Sequence, residues 1–392
     1  MPLSQKNKIA FVVPWFGVDI PGGAESETRN LVDHLKLFFD VHILTTCIKD
    51  FHADWNRNFW KPGEYQEMGI KVLRFPVRER DTAHFDAING KLMKNEPISK
   101  AEEQVYINES VRSIELNSFL EKNIQTYDFF FCIPYMFGTT FDAITLTKSK
   151  SILIPCLHDE SYAYLNIYKK MIANAGKVFF HIPSEQKLAE RLFPKNIKKF
   201  HLVGEGVSHV SQLHPGSFCK KYSLNRFILY AGRKDTTKNV PELISFFDRY
   251  QREIDHSLKL VLIGSSKLDL LENKNIIDLG FVSVEDKYDA MVDAICLCQP
   301  SLNESFSIVM MESWLCEKPV LVHGKCIATS DHCDRSNGGL YFKDYHTFSE
   351  CLRFLTMNPE KAYILAMNGK KYVLENYTWD KVIQNYLHAI YA

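Results

Sequence analysis

The sequence of 392 residues lacks several features that mark common functional classes. Its formal net charge is zero, which argues against nucleic-acid binding through bulk charge. No apolar stretch approaches the roughly 18 residues that a membrane-spanning helix needs. The pattern G-x-G-x-x-G is absent, so the fingerprint of nicotinamide-dependent dehydrogenases is missing. These absences disfavour a DNA- or RNA-binding protein, a membrane-spanning protein and a dehydrogenase.

Metal-binding patterns are also scarce. The ten cysteines form no C-x-x-C pair, and no D-x-D occurs. Cys296 and Cys298 lie on one face of a predicted strand, where buried thiols are expected, because zinc would need further ligands at suitable spacing. Free thiols favour a reducing compartment, so we expect the cytoplasm. The N-terminal "KIAFVVPWFG" is short and broken by Pro14, which predicts a first strand and not a signal peptide.

Short apolar runs alternate with helical patterns along most of the chain. Such strands predict parallel sheets covered on both faces by helices. The runs are "IAFVVPWF", "VHILTT", "KVLRF", "YDFFFCIPY", "SILIPCLH", "KVFFHIP", "KFHLVG", "RFILYAG", "LKLVLIG", "IIDLGFV", "AICLCQPS" and "KPVLVHG". They are too many for one comfortable sheet, so the sequence predicts an α/β protein with two doubly wound, Rossmann-like domains facing a central cleft.

The strand rhythm restarts near Phe227, after the polar stretch "SQLHPGSFCKKYSLN". We therefore predict an N-terminal domain over 1–205 and a C-terminal domain over 206–376, followed by a terminal helix over 377–392. Residues near 81–125 are polar, rich in Glu and Lys and helical in pattern, which predicts a helical insertion in the first domain.

Two turns after predicted strands carry residues suited to a diphosphate. Gly22 and Gly23 open a helix after the first strand, where backbone amides can approach a phosphate, although a plain glycine turn fits equally well. Arg233 and Lys238 follow the first strand of the second domain. Arg supplies a planar fork of donors and Lys a point charge, and the two together suit a pyrophosphate. A lone Arg or Lys in a loop is more commonly only solvated, but the position of this pair at a strand end favours the binding role.

His158 ends another first-domain strand beside Asp159 and Glu160. A histidine there can donate to a substrate oxygen or transfer a proton. The same three residues can instead cap the following helix, with Asp159 as the capping residue. The residue pattern leaves both alternatives open.

Glu304 and Glu312 lie in "SLNESFSIVMMESW", where a buried strand gives way to a helix that we expect to begin at Ser305 or its neighbour. An acid near a helix N-terminus is ordinarily stabilising by about 0.3–1 kcal/mol, which suffices for Glu304. Glu312 lies within an apolar run, where an unpaired carboxylate is costly. The backbone amides near Ser307 and Ile308 are available to phosphate oxygens, so the segment predicts a nucleotide-sugar site.

These motifs together resemble family 4 glycosyltransferases, which have the GT-B fold. "PGGAE", "GRKDTTKN", "LVLIG", "LGFV" and "PSLNESFSIVMMES" follow in the order and spacing of that family, and two glutamates separated by seven residues are its signature. "YTWDKVIQNY" resembles the family's C-terminal helix, which crosses back to the first domain. "RFPVRERDTAHFDAINGKLM" is further similar to bacterial transferases that assemble O-antigen and related surface polysaccharides.

The resemblance implies a retaining transfer of a sugar from a nucleotide diphosphate sugar. It implies that Arg233 and Lys238 hold the diphosphate, helped by Gly23 and the amides near Ile308. The leaving phosphate would accept the acceptor's proton, so no dedicated base and no metal or other cofactor are expected.

The remaining roles follow from the same resemblance. Glu312 would bind the ribose hydroxyls, Glu304 would lie near the donor sugar, and His158 would contact that sugar. The family usually has glycine where this chain has Ser307, which leaves the donor sugar open. GDP-mannose is slightly favoured over a UDP-sugar.

The expected partners are the donor and a growing surface glycan or lipid-linked glycan, without nucleic acid. Transient association with the inner membrane and with other polysaccharide-assembly enzymes is compatible with this role. The alternatives are an inactive GT-B subunit that binds glycan or nucleotide, and a GT-B epimerase or phosphorylase. Presence of the cations, the two glutamates and His158 together disfavours an inactive subunit.

Overall fold

The computed structural model describes residues 6–20, 22–208, 212–265 and 273–392. The chain divides into two compact units. Unit 1 comprises Met1–Gly204 together with Ile383–Ala392, and unit 2 comprises Glu205–Val382. Among the described residues, no helix has both the length and the apolar composition of a membrane span.

Unit 1 contains an eight-stranded sheet with the order β3-β4-β2-β1-β5-β6-β7-β8. Every neighbouring pair is parallel except β3 and β4. The strands are β1 (Lys8–Val13), β2 (Asp40–Thr46), β3 (Gly63–Glu67), β4 (Ile70–Phe75), β5 (Phe129–Cys132), β6 (Ser151–Leu153), β7 (Lys177–Phe180) and β8 (Phe200–Leu202). The central strands are buried because helices cover them, as their continuous apolar sequences predict.

The edge strand β3 was not predicted, and it departs from the all-parallel expectation. Its sequence "GEYQE" is polar and mostly exposed, so no apolar alternation marks it as a strand. It pairs antiparallel with β4 through a two-residue turn at Met68 and Gly69, which both have positive φ angles of 53° and 74°. Two consecutive left-handed residues form the tight hairpin turn whose twist matches the strands that it joins.

Among the described residues before Gly204, seven α-helices accompany the sheet of unit 1. They are α1 (Gly23–Leu35), α2 (Thr82–Met93), α3 (Lys100–Asn108), α4 (Ile114–Asn123), α5 (Gly138–Thr147), α6 (Asn166–Asn174) and α7 (Pro183–Leu192). Ser99 caps α3 in a capping box with Glu102, and Ser113 caps α4, so short polar signals set both starts. Helices α2, α3 and α4 lie between β4 and β5, where the sequence is rich in Glu and Lys.

Unit 2 contains a six-stranded parallel sheet with the order β11-β10-β9-β12-β13-β14. Its strands are β9 (Phe227–Ala231), β10 (Lys259–Ile263), β11 (Ile276–Gly280), β12 (Leu297–Gln299), β13 (Val320–His323) and β14 (Gly339–Phe342). The short β14 was not predicted from the sequence. The helices of unit 2 include α8 (Ser217–Tyr222), α9 (Val240–Glu253), α10 (Val284–Asp293), α11 (Ile308–Leu315), α12 (Ile327–Ser336), α13 (Tyr345–Met357) and α14 (Pro359–Asn376).

Helix α11 is fixed by close packing against α14. A Cβ atom on Gly369 of α14 would lie 2.2 Å from the Trp314 ring, so only glycine allows this approach. The Trp314 indole is fully buried and donates to the Gly338 carbonyl at 2.7 Å. The helix that carries Glu312 is therefore held rigidly against its own unit.

The last helix, α15 (Trp379–Tyr391), begins in unit 2 and ends in unit 1. Within unit 2, Trp379 donates to the Ser208 hydroxyl at 3.2 Å. Within unit 1, Asn385 donates to the Val203 carbonyl at 3.0 Å. The chain thus returns to the unit in which it began.

Candidate functional site

The predicted residues of unit 2 lie beyond the carboxyl ends of two neighbouring strands. Strands β9 and β12 are adjacent in the sheet, so the loops that follow them emerge side by side. The loop after β9 carries Arg233 and Lys238, and the loop after β12 carries Glu304. The topology therefore brings together residues that are about 70 positions apart in the sequence.

The Arg233 side chain contacts one acid and one hydroxyl of its own loop. Its Nε pairs with Asp235, and its terminal nitrogen donates to the Thr237 hydroxyl at 2.9 Å. Burial alone would raise the pKa of Asp235, but hydrogen bonds from Thr237 and the Lys238 amide, with the Arg233 charge, lower it. Asp235, which the sequence did not indicate, thus organises the loop as an anion.

Lys238 forms an ion pair with Glu304, with 2.7 Å between Nζ and Oε1. Both side chains are largely buried, at 29% and 12% exposed. The structure therefore places two predicted site residues in direct contact. A lysine beside a carboxylate at a strand end can direct its remaining donors to a further anion.

Helix α11 begins at Ile308, three residues later than the expected start at Ser305. Ser307 is its N-cap residue, with a φ angle of 74° and a ψ angle of 71°. The helix starts late because Ser307 takes this left-handed conformation, which L residues adopt rarely and glycine readily. The Ser307 hydroxyl is buried and has no hydrogen-bond partner among the described residues, so an oxygen-rich ligand at this helix start would satisfy it.

Glu312 lies in the second turn of α11 and is only 8% exposed. Its Oε1 accepts from Lys287 Nζ at 2.6 Å and from the Tyr288 hydroxyl at 2.8 Å. These partners on α10 explain how a carboxylate is tolerated within an apolar run. Burial, and next the Glu312 charge, raise the pKa of Tyr288, which therefore remains a hydroxyl donor. The sequence offered no signal for either partner, because both lie more than 20 positions away.

The glycine turn of unit 1 starts α1 at Gly23, with Gly22 as the N-cap residue. Gly22 has a φ angle of 144°, and a Cβ there would lie 1.9 Å from the Glu25 carboxylate. Glu25 in turn accepts from the Trp15 indole at 2.6 Å. The turn therefore requires glycine at position 22, and a carboxylate of the chain lies beside it.

His158 lies beyond the end of β6 in unit 1, with its Nδ1 3.5 Å from Glu160 Oε1. Glu160 also accepts from the buried Tyr135 hydroxyl at 3.1 Å. Asp159 does not act as a cap, because its oxygens accept from Tyr164 at 2.6 Å and from Arg191 at 2.7 Å. Of the two alternatives, the capping role of Asp159 is therefore wrong, and His158 has a carboxylate that can orient its ring.

A cavity of about 540 Å³ lies in unit 1 next to this turn. The connection between α2 and α3 forms one wall, and the residues that follow His158 form another. Its lining is rich in carboxylates, amides and hydroxyls, from Leu92, Asn95, Glu96, Pro97, Ile98, Glu103, Asp159, Glu160, Ser161, Tyr164, Leu165 and Asn166. Such groups suit a ligand with many hydroxyls.

Comparison with known proteins gives a domain and a fold. Residues 220–372 match the family model of glycosyl transferases group 1. The chain is similar to sucrose-phosphate synthase from Thermosynechococcus elongatus at 15% identity, with 98% of each chain covered and a TM-score of 0.71. No curated protein matches the chain.

Two further solved structures are similar over nearly the whole chain. Anabaena HepE, in complex with UDP and glucose, is 15% identical, with 98% of this chain and 100% of that chain covered and a TM-score of 0.67. WaaG, a glycosyltransferase involved in lipopolysaccharide biosynthesis, is 13% identical, with 96% and 98% covered and a TM-score of 0.66. At these identities, the likeness establishes the fold.

The resemblance inferred from the sequence is thereby confirmed for fold and enzyme class. The two parallel-sheet units are those of GT-B proteins, and the matched domain covers the second unit from α8 to α14. The chain carries a glycosyl transferases group 1 domain within a GT-B fold and is a glycosyltransferase by class.

Proposed function

We propose that this glycosyltransferase moves a sugar from a nucleotide diphosphate sugar to a growing surface glycan or glycolipid, with retention of the anomeric configuration. The bond between the anomeric carbon and the diphosphate oxygen breaks, and the acceptor oxygen forms the new bond. The acceptor proton passes to the departing diphosphate. Stabilising that diphosphate is then the main catalytic task.

The observation that carries the proposal is the Lys238–Glu304 pair beside the start of α11. Lys238 and Arg233 supply positive charge, while the Ser307 hydroxyl and the first amides of α11 supply hydrogen-bond donors. A diphosphate would accept from the buried Ser307 hydroxyl and from the remaining donors of Arg233 and Lys238. Glu304 keeps Lys238 in place and adds a carboxylate beside the sugar.

Two observations bear on the nucleotide base, and they favour different nucleotides. The sequence favours GDP-mannose through its likeness to surface-polysaccharide transferases, and this stays a prediction. The structure of HepE contains UDP and glucose, which supports a UDP-sugar for a protein of the same fold. Glu312, with Lys287 and Tyr288 on one of its oxygens, is the proposed acceptor for the ribose hydroxyls.

The acceptor is proposed to occupy the cavity next to His158 in unit 1. Its lining of carboxylates, amides and tyrosine suits a sugar with several hydroxyls. WaaG, of the same fold, is involved in lipopolysaccharide biosynthesis, which supports a surface glycan as acceptor. A lipid-linked acceptor would bring the protein to a membrane surface transiently.

The test is calorimetric titration with UDP, GDP and ADP, with and without Mg²⁺. The preferred nucleotide should bind Arg233→Ala and Lys238→Ala more weakly by about 1.5–3 kcal/mol each, because each variant loses a charge-assisted contact. Lys343→Ala, which removes an exposed lysine of the same unit, is the control. Since the cations serve the diphosphate, omission of Mg²⁺ should leave both affinity and sugar transfer unchanged.

Unchanged nucleotide affinity in both variants would show that the diphosphate does not bind here. Sugar transfer to a lipid-linked acceptor, followed by product mass, separates an enzyme from a binding subunit. Nucleotide binding without transfer from any donor in a panel of nucleotide sugars would favour the inactive subunit.

A further inference from the structure

Three side chains of unit 1 with metal-binding atoms meet beyond the ends of β6 and β7. Glu27 comes from α1, Cys156 follows β6, and His181 directly follows β7. His181 Nε2 lies 2.5 Å from Glu27 Oε1, and Cys156 Sγ lies 3.5 Å from Glu27 Oε2. Among the described residues, no other group of three histidine, cysteine or acidic side chains has such spacing.

The second nitrogen of His181 faces another carboxylate. His181 Nδ1 lies 3.5 Å from Glu185 Oε2, and both residues are almost fully buried. The oxygens of Glu185 are fixed by the Leu157 amide at 2.7 Å and the His181 amide at 2.8 Å. Histidines that bind metals usually give one nitrogen to the ion and the other to such a carboxylate. The imidazole is therefore already oriented as a metal ligand would be.

The distances fit a small divalent ion after one hydrogen bond opens. Zinc binds nitrogen and oxygen at roughly 2.0–2.2 Å and sulfur at about 2.3 Å, so ligand atoms of a tetrahedral site lie about 3.3–3.6 Å apart. The Sγ to Oε2 distance of 3.5 Å already matches that value. The 2.5 Å distance between His181 Nε2 and Glu27 Oε1 must lengthen to this range when an ion takes the place of the hydrogen-bonded proton.

We propose that Glu27, Cys156 and His181 bind one Zn²⁺ ion, with a fourth position open to water. Binding releases the Cys156 thiol proton to solvent and moves the imidazole proton of His181 from Nε2 to Nδ1, which faces Glu185. The thiolate and the Glu27 carboxylate then balance the two charges of the ion. Thiolate and imidazole ligands favour zinc over Mg²⁺ or Ca²⁺, which prefer oxygen.

The ion would fix the turn that carries His158. Cys156 is two residues before His158 and has a φ angle of 53°, so its backbone is held in the left-handed region. Glu27 belongs to the helix that Gly22 and Gly23 start. This proposal departs from the expectation of no metal, and its three ligands are different residues from those proposed to hold the nucleotide.

The first experiment measures zinc in protein purified from zinc-supplemented medium and dialysed against metal-free buffer. About one Zn²⁺ per chain is expected in the parent protein, and Cys156→Ser and His181→Asn should each retain at least about tenfold less. Cys351→Ser, which changes a partly buried cysteine of unit 2, should retain the full amount. Circular dichroism confirms that each variant is folded.

The second experiment replaces zinc by Co²⁺ in the parent protein, so that it does not depend on a variant's folding. A thiolate ligand gives an intense near-ultraviolet charge-transfer band, which should appear in the parent and disappear in Cys156→Ser. Cys156→His supplies another zinc ligand, so it should retain the metal without that band. A parent protein that holds no zinc, shows no such band, or loses neither metal nor band in folded Cys156→Ser would overturn the proposal.

Discussion

At the scale of single residues, the two glutamates that define the sequence motif lie in different surroundings. Glu304 precedes α11 and pairs with Lys238, a cation proposed to hold the diphosphate. Glu312 lies inside α11 and binds Lys287 and Tyr288, which belong to another helix. Because their partners differ, neutralising one carboxylate should affect a different property of the enzyme from neutralising the other.

We predict that Glu312→Gln weakens binding of both the donor and the free nucleotide, because the strong acceptor for ribose hydroxyls is lost. Glu304→Gln keeps an oxygen that can accept from Lys238, so it should leave nucleotide affinity nearly intact. It should lower turnover, since the lost charge acts on the sugar and on the charge that develops there. The measurement combines calorimetry with nucleoside diphosphates and product mass for sugar transfer. Equal behaviour of the two variants, or transfer at the parent rate by Glu304→Gln, would refute this division.

The backbone conformation of Ser307 and the burial of its hydroxyl could not be predicted from the residue type. The sequence placed it at a helix start where the family usually has glycine, but not in a left-handed conformation with a buried hydroxyl. The cost of that backbone conformation in an L residue is about 1–2 kcal/mol. Such strain is retained where the surroundings fix it, and it often marks a ligand site.

At the scale of elements, the start of α11 is supported by a buried histidine of α12. His332 is fully buried, and its ring packs edge-on against Phe306 at 5.2 Å. Its Nδ1 lies 3.1 Å from the Tyr372 hydroxyl. Burial, assisted by Arg335, lowers the pKa of His332 from 6.5 to about 3. The native state therefore holds a neutral imidazole against Phe306, in the loop that carries Glu304 and Ser307.

This burial predicts a pH dependence of stability. Between pH 6.5 and about 3 the unfolded chain binds the His332 proton and the native chain does not, so acidification favours unfolding. At about pH 5.5 the loss relative to pH 7 should be near 1.3 kcal/mol. Urea unfolding at both pH values should show a smaller loss in His332→Gln than in the parent.

His346→Gln, which changes an exposed histidine of α13, serves as the control and should keep the parent's pH dependence. If His332→Gln loses as much stability on acidification as the parent does, the buried imidazole does not contribute to acid sensitivity.

Elements with strong local signals were predictable, and those set by tertiary contacts were not. The continuous apolar sequences of β1 and β9 identify them as buried strands without any knowledge of neighbours. The polar β3 is a strand only because β4 offers it an edge. The Lys287–Glu312 pair could not be predicted from the sequence, because the packing of two helices brings the residues together.

At the scale of the whole molecule, α15 links two units that each have their own sheet and core. Its second half completes unit 1, where Tyr386 is fully buried and meets Phe179 edge-on at 5.5 Å. Lys177 donates to the Ala389 carbonyl at 2.7 Å and to the Ile390 carbonyl at 2.9 Å. These two carbonyls lie in the last turn of the helix, where backbone acceptors lack partners within the helix.

We predict that Tyr386→Ala destabilises unit 1 by about 3–5 kcal/mol, the usual cost of removing a large buried aromatic ring. Tyr391→Ala, in the same helix but 62% exposed, should cost far less. Calorimetric melting with and without the preferred nucleotide distinguishes the units, because only the transition of the nucleotide-binding unit shifts with ligand. A Tyr386→Ala protein that melts like the parent would contradict the role given to this helix.

The return of α15 to unit 1 also has a consequence for synthesis on the ribosome. Translation proceeds from the N-terminus, so residues 205–382 are made before the segment Ile383–Ala392 that covers Phe179. Unit 2, which is continuous in sequence, can fold as it emerges. Unit 1 must wait with part of its sheet uncovered until the last segment arrives. The half of the protein that is translated first is therefore the half that finishes folding last.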